Sequence, residues 1–266
     1  FQSMGCEVIH LGHDRGANDV AKAAIQEDAH CIAITSYQGG AVEMFTHTKQ
    51  ILDDSGFGHV CLVGGGGGTI LPSEIQHLFD SDIAKIYSPE DGRELGLTGM
   101  VSDAMKRASD NDLLNPKRFE SLKKPIFADE HSAVSKLLTL AENEDEEKFN
   151  NILDKVRSTD GLKCPVIGLT GTGGAGKSSL TDELMLRIQR DNPGTKIALL
   201  ATDPTRKRTG GALLGDRIRM NSLSDDNLFM RSFASRNSGR EIADCIGRSI
   251  EVCKAVGFDL VIVETS

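Results

Sequence analysis

The chain has 266 residues, of which 39% are hydrophobic and 26% charged, enough for two compact domains that each bury a core. A net charge of −9 excludes a surface that wraps nucleic acid, and the absence of Trp with only two Tyr excludes a base-stacking platform. No apolar stretch approaches the roughly 18 to 20 residues that span a bilayer, and the first residues lack a charged leader region followed by an apolar run, so no membrane partner and a cytoplasmic location are expected.

In chain order, Phe1 to Gly5 reads as a helix tail closed by a glycine cap, with an earlier strand and helix of the same domain expected before it. Strands are then predicted at Cys6 to Leu11, His30 to Ser36, His59 to Val63 and Ala84 to Tyr87. They alternate with helices at Asp19 to Glu27, Ala41 to Asp54, Pro72 to Phe79 and Arg93 to Ala108, a parallel α/β signature. Periodicity fades from Asn111 to Asp129 and returns as helices at Ala133 to Ala141 and Glu146 to Val156. The acidic run Glu142 to Glu147 between or capping them reads as a solvated turn.

A second α/β unit starts at Pro165, with strands at Val166 to Thr170, Lys196 to Ala201, Leu228 to Ser232 and Asp259 to Glu264. Its helices run over Lys177 to Gln189 and Arg240 to Val256, with a short one from Asp216. The fold class expected is therefore α/β: two doubly wound parallel-sheet domains joined by a helical linker, both truncated. Residues 1–110 form the first domain, 111–160 the linker and 161–266 the second. The six cysteines stand singly in apolar segments, without metal-ligand or redox spacing, and read as small buried hydrophobes.

Gly171-Thr172-Gly173-Gly174-Ala175-Gly176-Lys177-Ser178 follows an apolar strand and opens a helix, the context that a phosphate-binding P-loop requires. Backbone N–H groups of Gly171, Gly173, Gly174, Ala175 and Gly176 can turn toward phosphates, Lys177 can reach the β- and γ-phosphates, and Ser178 can ligate Mg²⁺. Ser179 and Arg219 complete the candidate nucleotide-binding set. Phosphoryl transfer also needs carboxylates at neighbouring strand ends, and the candidates are Asp203, Asp216 and Glu264. Lys177, Asp203 and Glu264 are the candidate catalytic residues. The stretch Thr205 to Gly215 reads as a basic, glycine-bearing loop able to close over a γ-phosphate, with a mobile surface loop as the alternative.

The run Ala201-Thr202-Asp203-Pro204, the run Arg208 to Met220 and the ending Val263-Glu264-Thr265 resemble the G-protein chaperones of cobalamin-dependent mutases. The resemblance implies GTP on the P-loop, Mg²⁺ among Ser178, Asp203, Asp216, Glu264 and Thr265, and a base-reading Asn-Lys-x-Asp motif after Ser266.

In the first domain the five glycines Gly64 to Gly68 follow a strand, and would let a flat, bulky ligand approach the backbone; a flexible turn is the alternative. From Gly5 to about Lys106 the chain resembles the cobalamin-binding domain of methylmalonyl-CoA and isobutyryl-CoA mutases, with Ser36-Tyr37-Gln38-Gly39-Gly40 and the glycine run at the second and third motif positions. Ser36, Gly65 and Gly66 would then line the channel for the cobalamin tail. His13-Asp14-Arg15-Gly16 mimics the cobalt-ligand motif, but Leu11 stands where that motif needs Asp, so His13 is assigned as a loop residue and the ligand is expected upstream of Phe1.

The domain order is similar to that of the fused isobutyryl-CoA mutases. That resemblance implies adenosylcobalamin, GTP and Mg²⁺ as cofactors, an acyl-CoA substrate on a barrel domain elsewhere in the polypeptide, a homodimer, and an adenosyltransferase as partner. The activity implied is rearrangement of isobutyryl-CoA and n-butyryl-CoA, with the GTPase gating cofactor loading. Two other readings stay open: an ATP-driven kinase or transporter-like NTPase with a flavodoxin-like response domain, and a scaffold whose P-loop binds without hydrolysis.

Overall fold

The structure is a computed structural model that describes residues 1–120, 122, 125–157, 164–205, 209–214, 216–236 and 243–265. The chain divides into two compact units: Phe1–His13 with Leu114–Ser266 as unit 1, and Asp14–Leu113 as unit 2. Unit 1 opens with the strand β1 (Glu7–Ile9). Unit 2 runs α1 (Ala17–Gln26), β2 (Cys31–Thr35), α2 (Ala41–Asp54), β3 (Cys61–Gly65), α3 (Pro72–Asp80), β4 (Lys85–Tyr87) and α4 (Pro89–Ala108). Unit 1 resumes with α5 (Pro116–Glu120), α6 (His131–Asn143), α7 (Glu146–Val156), β5 (Val166–Leu169), α8 (Lys177–Asp191), β6 (Ile197–Asp203) and β7 (Ala212–Leu214). It continues with β8 (Leu228–Ala234), α9 (Ile246–Val256) and β9 (Leu260–Thr265). The fold class is α/β, and every strand pair is parallel.

Unit 2 carries the sheet β2-β3-β4. Its α4 begins four residues before the helix expected from Arg93. Ser88 Oγ accepts from the Asp91 N–H at 3.2 Å, Asp91 Oδ2 accepts from the Ser88 N–H at 2.8 Å, and Pro89 takes the first helical position.

Unit 1 is built on the sheet β5-β9-β6-β8. Alternate side chains of the near-continuous apolar run Ile197–Ala201 reach opposite faces, as a parallel sheet buried on both sides requires. Ala198 and Leu200 pack with Val134, Leu137 and Leu138 of α6, Phe149 and Leu153 of α7 and Val252 of α9. Ile197, Leu199 and Ala201 join Met185 of α8, Ile262, Met220 and Leu223 on the other face.

Two expectations need correction. The stretch Thr205 to Gly215 is not loop throughout: Ala212–Leu214 forms β7, which pairs with Glu7–Ile9 in register. Residues 206–208 and 215 lie outside the described residues. The pairing partner of β7 is distant in sequence, so no local periodicity announces it. The acidic run is a solvated turn only in part: Asp145 to Glu147 are exposed, whereas Glu142, at the end of α6, has a side chain only 8% exposed that pairs with Arg231 Nη2 at 3.1 Å and Arg236 Nη2 at 2.8 Å. Asp145 is the part of the run that caps, accepting from the Lys148 N–H at 2.8 Å.

Among the described residues no helix is long and apolar enough to cross a membrane. His13 lies in an exposed bend outside any helix or strand.

Candidate functional site

The P-loop runs from the end of β5 into α8. Gly174 and Gly176 hold φ of 80° and 84°, a region disfavoured for other residues, and a Cβ at either would meet nothing within 4 Å. Backbone conformation, and not crowding, is what demands glycine there. Gly176 is the N-cap of α8, so the N–H groups of the first helical turn, at Lys177, Ser178 and Ser179, lie at the loop. Lys177 Nζ donates to the loop's own carbonyls, to Gly171 at 2.6 Å and Thr172 at 3.1 Å.

The sheet brings the carboxylate to this loop. Glu264 of β9 pairs with Leu169 of β5 on one side and Ala201 of β6 on the other. Ser178 Oγ donates to Glu264 Oε1 at 2.5 Å. Thr181 Oγ1 lies 2.9 Å from Glu264 Oε2 and 3.0 Å from the Lys177 carbonyl, so its single proton is shared between two acceptors. Glu264 is buried, and its hydroxyl donors compensate the removal of a charged group from water.

A cavity of about 380 Å³ lies against these groups. Gly173, Gly174, Ala175, Gly176, Lys177, Ser178 and Ser179 line one side of it, and Asp203, Arg219, Glu264 and Thr265 also border it. Asp203 ends β6 half-buried, and its carbonyl accepts from the Ser235 N–H at 2.9 Å. Arg219 is exposed at the end of the short 3-10 turn Asp216–Arg219, while the side chain of Asp216 lies outside the described residues. Thr265 Oγ1 donates to Thr170 Oγ1 at 3.0 Å.

Sequence reasoning missed Thr181, whose signal was its place one helical turn beyond Lys177, on the same face of α8. It also missed Thr170, which follows β5, and Met230 of β8, neither of which carries a motif, and Met220, which borders the cavity just after the 3-10 turn.

In unit 2, Ser36 follows β2 and its N–H donates to the Gly65 carbonyl at 3.0 Å, while its hydroxyl donates to the Gln38 carbonyl at 3.3 Å. The glycines stand close to the protein's own atoms. A Cβ at Gly64 would sit 2.3 Å from the Ile34 carbonyl oxygen, one at Gly65 3.0 Å from that of Tyr87, and one at Gly66 2.5 Å from that of Ser36. Close packing against the protein's own backbone is thus one reason for glycine at these three positions. What remains for a ligand is the hydroxyl and backbone edge at the carboxyl end of a parallel sheet, the place where open α/β folds take ligands.

The family model described as methylmalonyl Co-A mutase-associated GTPase MeaB matches residues 134–266, half of the chain. The fused isobutyryl-CoA mutase of Geobacillus kaustophilus is 47% identical over 273 residues, covering 100% of this chain and 25% of that protein. The fused isobutyryl-CoA mutase of Cupriavidus metallidurans is 47% identical over 271 residues, covering 100% of this chain and 24% of that protein. The mitochondrial methylmalonic aciduria type A homolog of Caenorhabditis elegans is 36% identical over 100 residues, 37% of this chain and 25% of that protein. The chain spans about a quarter of the length of the fused mutases it matches. Along its whole length it is similar to a segment of those fused mutases, and it belongs to the methylmalonyl Co-A mutase-associated GTPase MeaB family.

Proposed function

We propose that unit 1 binds and hydrolyses GTP with Mg²⁺, and that in the complete protein this GTPase gates the loading of adenosylcobalamin into a cytoplasmic acyl-CoA mutase. The observation that carries the reading is the junction of Ser178 and Glu264, which sets a hydroxyl from the P-loop helix against a carboxylate from the adjacent strand beside one cavity. Hydroxyl and carboxylate oxygens are the hard donors that Mg²⁺ takes, and their small number leaves positions for water and phosphate oxygens.

Ser178, Asp203, Asp216, Glu264 and Thr265 would hold the metal, whose charge offsets that of the transferring phosphoryl group. Backbone amides of Gly171, Gly173, Gly174, Ala175 and Gly176, with Ser179, would bind phosphates. Lys177 would exchange its two loop carbonyls for phosphate oxygens. Asp203 and Glu264 would orient the attacking water, and Arg219, exposed at the border, would reach the nucleotide. Without an arginine supplied by a partner, such sites turn over at about 10⁻⁴ to 10⁻² per second, a rate suited to a switch.

Unit 2 would receive the cobalamin tail at Ser36, Gly65 and Gly66. Adenosylcobalamin, when bound, supplies the radical chemistry. The names of the fused relatives support isobutyryl-CoA as the substrate, which the mutase would interconvert with n-butyryl-CoA.

Phosphate release from GTP, measured for the full chain and for Lys177→Ala, tests the reading of unit 1. Release that the substitution abolishes is expected, and equal background rates would instead favour an inert binding scaffold. Faster release from ATP than from GTP would favour the kinase-like or transporter-like NTPase. Equilibrium dialysis against hydroxocobalamin tests unit 2, with retention above that of a Ser36→Trp variant expected.

A further inference from the structure

Cys31 opens β2 and Cys61 opens β3, and the two residues are partners in the parallel register. Neighbouring strands lie about 4.7 to 4.9 Å apart, inside the Cα separation of roughly 4.4 to 6.8 Å that a disulfide spans. Both side chains pack in one small cluster with Val63, Ala84, Tyr87 and Ala104. A hydrogen bond between the two thiols draws the Cys61 thiol below its ordinary value; burial opposes this, and the nearby Arg107 guanidinium adds to it. Arg107 is itself fixed, with Nε on Asp103 at 2.8 Å and Nη1 on the Ala84 carbonyl at 3.1 Å. Cys6, Cys164, Cys245 and Cys253, in contrast, are pushed up by burial.

We propose that Cys31 and Cys61 are a redox-active dithiol, a modification site that closes to an intramolecular disulfide on reaction with a hydroperoxide or a small disulfide such as oxidised glutathione. Cys31 is half-buried and meets the oxidant, while the buried Cys61 resolves. With hydrogen peroxide, the Cys31 sulfur attacks one oxygen, the O–O bond breaks, and a sulfenic acid and one water form. The Cys61 sulfur then attacks the Cys31 sulfur, the S–O bond breaks, and a second water carries away the Cys61 proton. Two thiols lose two electrons and two protons, and the peroxide is reduced to two waters. With oxidised glutathione, two exchange steps release two molecules of the reduced tripeptide. The pair sits at the opposite end of the ladder from Thr35 and Gly65, so closing it removes no group from the edge proposed for the cobalamin tail.

The test exposes the reduced, folded full chain to hydrogen peroxide or oxidised glutathione, removes the oxidant, unfolds the chain in excess N-ethylmaleimide so that buried thiols are blocked as they become exposed, and maps peptides without reductant. A peptide pair joined through Cys31 and Cys61, with an intact-mass loss of two hydrogens, is expected. Cys61→Ser should lose that link and hold glutathione on Cys31, whereas Cys6→Ser should keep the link. Wild-type protein in which Cys31 and Cys61 both take the blocking reagent, a link found only between two chains, or one formed only in urea would overturn the proposal. The wild-type map decides the matter even if a variant fails to fold.

Discussion

The Ser178 hydroxyl donates to Glu264 Oε1 at 2.5 Å, joining residues 86 positions apart in sequence. Thr181 holds the second oxygen of the same carboxylate at 2.9 Å, so Glu264 is fixed by α8 on both sides. Glu264→Gln keeps the shape and removes the charge. It is expected to slow GTP hydrolysis by about a hundredfold, the lower end of what removal of one group at a reacting centre costs. Single-turnover phosphate release, with nucleotide affinity measured in parallel, checks the outcome.

Gly64 and Gly39 make a contrasting pair. A Cβ at Gly64 would sit 2.3 Å from the Ile34 carbonyl oxygen and 2.3 Å from Phe45 Cζ, whereas one at Gly39 meets nothing within 4 Å. Gly64→Ala should destabilise by about 1 to 3 kcal/mol or more, because the obstruction includes backbone. Gly39→Ala should stay within about 0.5 kcal/mol of the parent. Urea denaturation of the two variants measures the difference.

Glu142 bridges two arginines from β8 and the residues after it, and the side chains of Glu142 and Arg231 are 8% and 7% exposed. Arg236 also grips Glu7 through Nε at 2.7 Å, while its backbone sits at φ 48°. Removing one member of a buried pair strands the other, so Glu142→Ala should cost about 3 to 5 kcal/mol. The double change Glu142→Leu with Arg231→Met should cost less than the sum of the single changes, read from a double-mutant cycle.

Asp103 supplies a pH signature. A hydrogen bond from Arg107 holds its carboxyl below the usual range; burial opposes this, and the Tyr87 hydroxyl, donating at 2.8 Å, adds to it. A depressed folded value means that the stabilisation is complete above the unfolded carboxylate value of about 3.9 and fades as pH falls through the lower folded one. Asp103→Asn should therefore be less stable than the parent near neutrality, with the gap closing in acid. Denaturant midpoints taken across that range test the sign.

Much of unit 2 was legible in its residues because caps and periodicity are local. The spacing predicts a helix at Ala41 to Asp54, and α2 has those bounds; the strand predicted at His30 to Ser36 frames β2. The start of α4 was missed because Ser88 and Asp91 act as a reciprocal cap ahead of the apolar pattern. Thr181 escaped notice because hydroxyl residues within helices are common and only the neighbouring strand reveals which one meets a carboxylate.

The sequence by itself determined the alternation of strands and helices and the P-loop, since a contiguous run with glycines at positive φ encodes its own turn. Tertiary structure alone decided that β7 pairs with β1, that Glu142 is buried between arginines, and that Cys31 stands beside Cys61. Side-chain period and capping act within one or two turns of chain, whereas register between distant strands is selected by which arrangement buries both faces of the sheet at once.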